Sequence, residues 1–93
     1  MKGLIRYIKS IFGRYEPGYE YWVRLDEINV PKEYKLTRIG NKKWKHKMNY
    51  WLRTGNFESI ILIDRDFNLI DGYSSVKIAY LKGIEKVPVY FVD

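Results

Sequence analysis

No cysteine occurs anywhere in the 93 residues. Disulfides, thiol nucleophiles and thiolate metal sites are thereby excluded, and a reducing cytoplasm is the expected compartment. The single histidine, His46, sits in a lysine-crowded stretch and reads as a solvated side chain, not a metal ligand or general base. No apolar run approaches the roughly 18 residues that a membrane-spanning helix needs. The first residues lack both an uninterrupted apolar core and a small-residue cleavage site, so no signal peptide is expected. Acidic side chains are also scarce where they would matter. Residues 1–14 hold Lys2, Arg6, Lys9 and Arg14 with no acid, and residues 32–53 hold eight Lys/Arg against Glu33 alone.

What is present suits one small domain. Apolar residues make up 46% of the chain and aromatics 17%, enough for a packed interior in a protein with a poor surface-to-volume ratio. The net charge of +6 is clustered, which raises the local potential and favours polyanions.

Residues 2–12, "KGLIRYIKSIF", put Leu4, Ile5, Ile8, Ile11 and Phe12 at helical spacing, with the basic residues largely off that stripe. An amphipathic basic helix over residues 1–14 is predicted. It could dock on its own domain, pair with a partner or lie on a membrane surface. The stretch 21–28 alternates as a first strand, with Trp22, Arg24 and Asp26 on one side and Val23 and Leu25 on the other. Residues 29–40 read as a loop or a short, irregular segment. Asn41 is placed to cap a helix through Arg53, with Trp44, Met48, Trp51 and Leu52 as its inward stripe. "SIILID" (59–64) reads as a strand, "RDFN" as a turn and "LIDG" as a returning strand. A helix over residues 75–82 follows, capped by Ser74 or Asp71, and "KVPVYFV" forms the last strand. Pro88 points to an edge strand or a strand start. The class is α+β, a small mixed sheet covered by short helices, with the domain spanning residues 22–93.

Three stretches invite chemistry. Asp64-Arg65-Asp66 begins like a calcium loop, but Leu69 stands where a sharp-turn glycine belongs and Ser75 where a bidentate glutamate belongs. A hairpin turn is the better reading. Gly72 followed by Ser74 and Ser75 at a helix start is either ordinary capping or a phosphate-gripping turn built on free backbone N–H groups. Asp71 beside it reads as a turn carboxylate before a general base. Lys42, Lys43, Lys45, Lys47 and Arg53, joined by Lys32, Lys35 and Arg38, can track a phosphate backbone. Tyr15, Tyr19 and Tyr21 form a candidate exposed patch.

The ordered set Ile60-Ile61-Leu62-Ile63-Asp64, Leu69-Ile70-Asp71-Gly72-Tyr73, Ala79 to Ile84 and Val87-Pro88-Val89 resembles the ParB-like/sulfiredoxin-like superfamily. Val23 to Ile28 is similar to that family's opening strand, and the resemblance covers about residues 22–93. It implies a nucleotide-phosphate pocket at Gly72, Ser74 and Ser75, with Arg38 lending one contact. Partition proteins of the ParB type bind CTP at this turn, and sulfiredoxins bind ATP there beside a catalytic Cys. Family turns carry a basic pair where this chain has Ser74 and Ser75. Two charge-assisted contacts worth roughly 1.5–3 kcal/mol each are therefore missing. With no cysteine, sulfiredoxin chemistry is excluded.

The expectation is a stand-alone ParB-like binding protein, nucleic-acid-associated through Lys42, Lys43, Lys45, Lys47 and Arg53, without strong catalysis and without an obligatory cofactor. The alternatives are an ATP- or CTP-binding or nuclease-like enzyme at Gly72, and a phage or mobile-element inhibitor of a host nucleic-acid-handling complex, such as an anti-CRISPR. Expected partners are nucleic acid, a nucleic-acid-bearing complex, or a second copy in a homodimer.

Overall fold

The computed structural model describes residues 16–36 and 38–92; the amphipathic segment expected over residues 1–14 lies outside them. Strand β1 (Tyr21–Arg24) runs into a 3-10 turn (Leu25–Glu27), followed by helices α1 (Lys32–Leu36) and α2 (Asn41–Thr54). Strands β2 (Ile61–Ile63) and β3 (Leu69–Asp71), helix α3 (Tyr73–Leu81) and strand β4 (Lys86–Phe91) complete the order. The four strands form one mixed sheet in the order β1-β4-β2-β3. Strand β4 is antiparallel to β1 and parallel to β2, and β2 is antiparallel to β3.

Period-two burial fixes which sheet face is inward. Val23, Ile61, Ile63, Leu69, Val87, Val89 and Phe91 point into the core, where Val76 and Ala79 of α3 meet them. Each such side chain contributes about 1.5–3 kcal/mol by leaving water. Helix α2 packs on α3 and buries none of its residues completely. The helices therefore form a layer in which α3 is the inner member.

Strand β4 is central, not an edge, and Pro88 lies in its interior. The register explains how the sheet tolerates a missing N–H. The Leu25 amide donates to the Glu85 carbonyl at 2.8 Å, which fixes the alternation of antiparallel pairs. Tyr21↔Val89 and Val23↔Val87 are then the hydrogen-bonded pairs, and Trp22↔Pro88 is not. On its other side β2 begins at Ile61, opposite Val89. The proline nitrogen thus faces a position that no strand residue occupies.

Other elements shift from their sequence expectations for local reasons. The loop or irregular segment expected over residues 29–40 contains α1, whose first turn closes when the Tyr34 amide donates to the Pro31 carbonyl at 3.1 Å. The Tyr34 hydroxyl donates to the Ile70 carbonyl at 2.5 Å and fixes this short helix to β3. The first strand ends at Arg24 instead of Ile28, because the chain turns into the 3-10 segment. Gly40, not Asn41, precedes α2, and its carbonyl accepts from the Trp44 amide at 2.9 Å. Leu52 is 59% exposed, since the inward stripe of α2 is Trp44, Lys47, Met48 and Trp51.

The stretch that begins like a calcium loop is a hairpin held by one carboxylate. Asp64 Oδ1 accepts from the Asp66 and Asn68 amides at 2.9 Å each, and Oδ2 accepts from the Asn68 side chain at 3.1 Å. Burial pushes the Asp64 carboxyl up, but these hydrogen bonds outweigh it and hold the group below the usual carboxylate range. A depressed folded-state pKa gives stability that is present above the ordinary Asp value and lost as pH falls through the folded one. Asp64→Ala should cost about 1–3 kcal/mol in urea unfolding at neutral pH. The deficit should shrink in strongly acidic buffer, where the wild-type carboxyl is protonated too; an equal deficit at both pH values would contradict this role.

Candidate functional site

The corner between β3 and α3 is set by contact with β2. Gly72 takes φ +91°, and a Cβ built there would lie 2.3 Å from the Ile60 carbonyl oxygen and 2.8 Å from the Ile61 Cα. Only glycine fits, for conformation and for space. Its amide donates to Asp71 Oδ1 at 2.8 Å, so the Asp71 carboxylate holds the turn. The helix begins at Tyr73, two residues before the expected Ser75, and neither Ser74 nor Asp71 caps it by a side-chain hydrogen bond. The Gly72 carbonyl instead receives the Ser75 and Val76 amides at 3.1 and 3.2 Å.

Ser75 is 1% exposed and its hydroxyl donates to the Ser59 carbonyl at 2.5 Å, so it locks α3 to the entry of β2. Ser74 is 8% exposed. The Tyr73 and Ser74 amides belong to the first turn, where no helical carbonyl reaches them. The remaining polar group comes from another element. The Lys47 ammonium, on α2, donates to the Ser59 hydroxyl and lies 3.3 Å from Glu58 Oε2. A cation is therefore delivered from α2 to the residue that anchors α3. Arg38 is exposed in the connection between α1 and α2.

Five basic residues of α2 do not share one face. A rotation of 100° per residue puts Lys42 and Arg53 on the outward stripe with His46 and Asn49. Lys43 and Lys47 fall on one flank and Lys45 on the other. Lys42, Lys43, Lys45 and Arg53 are exposed, whereas Lys47 is half-buried and committed to Glu58 and Ser59. The Arg53 guanidinium lies over the Tyr50 ring at 5.7 Å. Among the described residues no cluster of three or more His, Cys, Asp or Glu could hold a metal ion.

Two cations of this surface were not singled out in the sequence. The Lys77 ammonium lies 5.3 Å over the Trp44 ring and that of Lys82 lies 5.8 Å over Trp51. Both lysines come from the α3 end of the chain, so α2 and α3 together present indole faces already covered by positive charge. The signal was a pair of tryptophans seven apart facing lysines five apart. It has meaning only once the two helices are known to lie side by side.

A cleft of about 260 Å³ lies at the opposite end of α3, lined by Leu25, Ala79, Tyr80 and Ile84 with Arg24 and Glu85 among its charged members. Arg24 and Asp26 form an exposed ion pair there at 3.3 Å. The cleft brings together none of the residues singled out for phosphate.

No family model matches the chain, and no curated protein matches it. Solved structures do. The C2221 form of a pNOB8-like ParB-N domain superposes with a TM-score of 0.67 at 21% identity, covering 81% of this chain and 30% of that one. A second pNOB8-like ParB N-domain structure gives 0.60 at 26% identity, covering 81% and 28%. The C-terminally truncated chromosome-partitioning protein ParB from Caulobacter crescentus, complexed with CTP-gamma-S, gives 0.61 at 12% identity, covering 82% and 45%. The chain thus has a divergent ParB-like fold and spans less than half the length of each of these structures.

Replacing Gly72 by Ala should cost more than about 2 kcal/mol, because the strain is backbone against backbone. Ser75→Ala should cost about 1 kcal/mol for one buried hydrogen bond. Chemical denaturation of both variants orders them; a Gly72→Ala variant as stable as wild type would refute the packing described.

Proposed function

We propose that this chain is a ParB-like binding module that associates with nucleic acid through the exposed cations of α2, Lys42, Lys43, Lys45 and Arg53, and acts by binding instead of catalysis. One observation carries the reading. Helix α2 contains no acidic residue, and Lys42 and Lys43 occupy its first turn, where the helix dipole disfavours cations by about 0.3–1 kcal/mol each. Charges placed against the stability of their own helix answer to something outside it. None of Lys42, Lys43 and Lys45 has a carboxylate partner among the described residues, whereas Lys47 does. With Lys77 and Lys82 occupying the indole faces, the surface is suited to backbone phosphate, not base stacking.

Fluorescence anisotropy with duplex and single-stranded oligonucleotides across a salt series tests this. Each phosphate neutralised adds roughly 0.7–0.9 to the slope of log affinity against log salt, so the four exposed cations should give a slope near −3. Lys42→Glu and Arg53→Glu should each flatten it by about one unit, and Lys47→Met should leave it unchanged. Absence of binding at about 50 mM salt, or binding without a salt slope, removes the proposal.

A second reading places a nucleotide phosphate at Gly72. It is supported by the open first-turn amides of Tyr73 and Ser74, by Lys47 close to Ser59, and by the CTP-gamma-S complex of a chain with this fold. The serines at positions 74 and 75 weigh against it, since Ser75 is already committed to Ser59. Calorimetric titration of ATP and CTP with magnesium decides the matter; saturable heat at micromolar nucleotide would make this the primary site.

A further inference from the structure

The two edges of the sheet are treated differently. Beyond β3, the Asn29 amide donates to the Phe67 carbonyl and the Asn29 carbonyl accepts from the Leu69 amide, both at 2.8 Å. That segment forms a parallel bridge to Asn68 and covers the start of the edge. At the other edge β1 pairs, among the described residues, with β4 alone. Because Tyr21 and Val23 direct their backbone groups to β4, Trp22 and Arg24 direct theirs outward. Trp22 is 57% exposed, and Glu20 and Arg24 are exposed beside it. The strand Tyr-Trp-Val-Arg carries no proline, no lysine and no bulge, the devices that usually blunt a free edge.

We propose that β1 pairs antiparallel with β1 of a second copy of this chain, making a two-fold dimer with one continuous sheet. The register follows from backbone and charge together. Only even-numbered residues present outward amides here, so the two-fold must place an even residue opposite an even one. With Trp22 opposite Trp22 of the partner subunit, Glu20 faces the partner subunit's Arg24, and Arg24, which within one chain pairs with Asp26 at 3.3 Å on exposed surface, faces the partner subunit's Glu20 and would exchange one carboxylate for the other. Shifting the strands by two in either direction puts a charge opposite an indole and loses both ion pairs. The edge is thus self-complementary, as a two-fold interface requires. Its three outward side chains lie on one face of the sheet, where cross-strand pairs meet. Main-chain hydrogen bonds would supply the attachment and the charges the register. Against this stand the +6 charge of each chain and the shortness of the strand, so the dimer is expected to assemble at high micromolar concentration.

Sedimentation velocity from about 10 µM to about 1 mM should show a concentration-dependent monomer–dimer equilibrium. Glu20→Arg and Arg24→Glu each place like charges at both ends of the interface and should weaken dimerisation at least about tenfold. An equimolar mixture of the two variants restores opposite charges at both ends and should recover the dimer. Circular dichroism checks that each variant stays folded, and both positions are solvent-exposed. Three results overturn the proposal: a wild-type chain monomeric throughout, single variants that dimerise like wild type, or a mixture that fails to recover. Amide exchange read by NMR adds an independent arm. Trp22 and Arg24 amides should gain protection only as the dimer forms. Protection in the monomer would mean the edge is covered within one chain, which also overturns it.

Discussion

The backbone at Gly72 lies so near Ile60 and Ile61 that a single methyl would overlap them. That approach sets where α3 starts relative to β2, and Ser75 reinforces it by bonding the Ser59 carbonyl. Lys47 then reaches the same residue from α2, so strand entry, inner helix and outer helix converge on four consecutive residues, Glu58 to Ile61. Val76 and Ala79 follow from this placement, since a helix launched at that corner lays them on the sheet. The corner is thus first a packing device, and the polar groups left open at it are those that packing does not consume.

Electrostatics divides in the same way. Lys47 and the Asp64 carboxylate are occupied, one with Glu58 and Ser59, the other with hairpin amides. Lys77, Lys82 and Arg53 rest on aromatic rings. Lys42, Lys43 and Lys45 have neither kind of partner among the described residues, and the first two crowd the end of α2 least hospitable to them. A raw count of charges over residues 32–53 cannot make this division.

Much of the architecture was legible. The apolar runs of β2 and β4, the turn at Asp64 to Asn68 and the helix around Trp44 all depend on near neighbours in sequence, and sequence pattern reports such neighbours faithfully. What could not be read depended on partners far along the chain. Pro88 signals an edge in isolation, and its tolerance in a central strand comes from β2 starting one residue further on. Leu52 belongs to an apolar stripe by spacing, but α2 meets α3 along Trp44 and Trp51, leaving Leu52 outside. Ser74 and Ser75 looked alike; only the proximity of Ser59 distinguishes the second. The short helix at Lys32 has too few residues to show a period, and it is held by a tyrosine reaching a carbonyl 36 positions away.

The strand order β1-β4-β2-β3 puts the last of the described strands to be made between the first and the second. Until β4 is made, β1 has no strand neighbour among the described residues, and β2 with β3 amounts to a lone hairpin, too little to persist in water. The interior can assemble only after Phe91 has cleared the exit tunnel, because Val87, Val89 and Phe91 fill its middle. Closure therefore joins segments some 65 residues apart in a single event, a topology that folds slowly for its size and gives partial order little to gain.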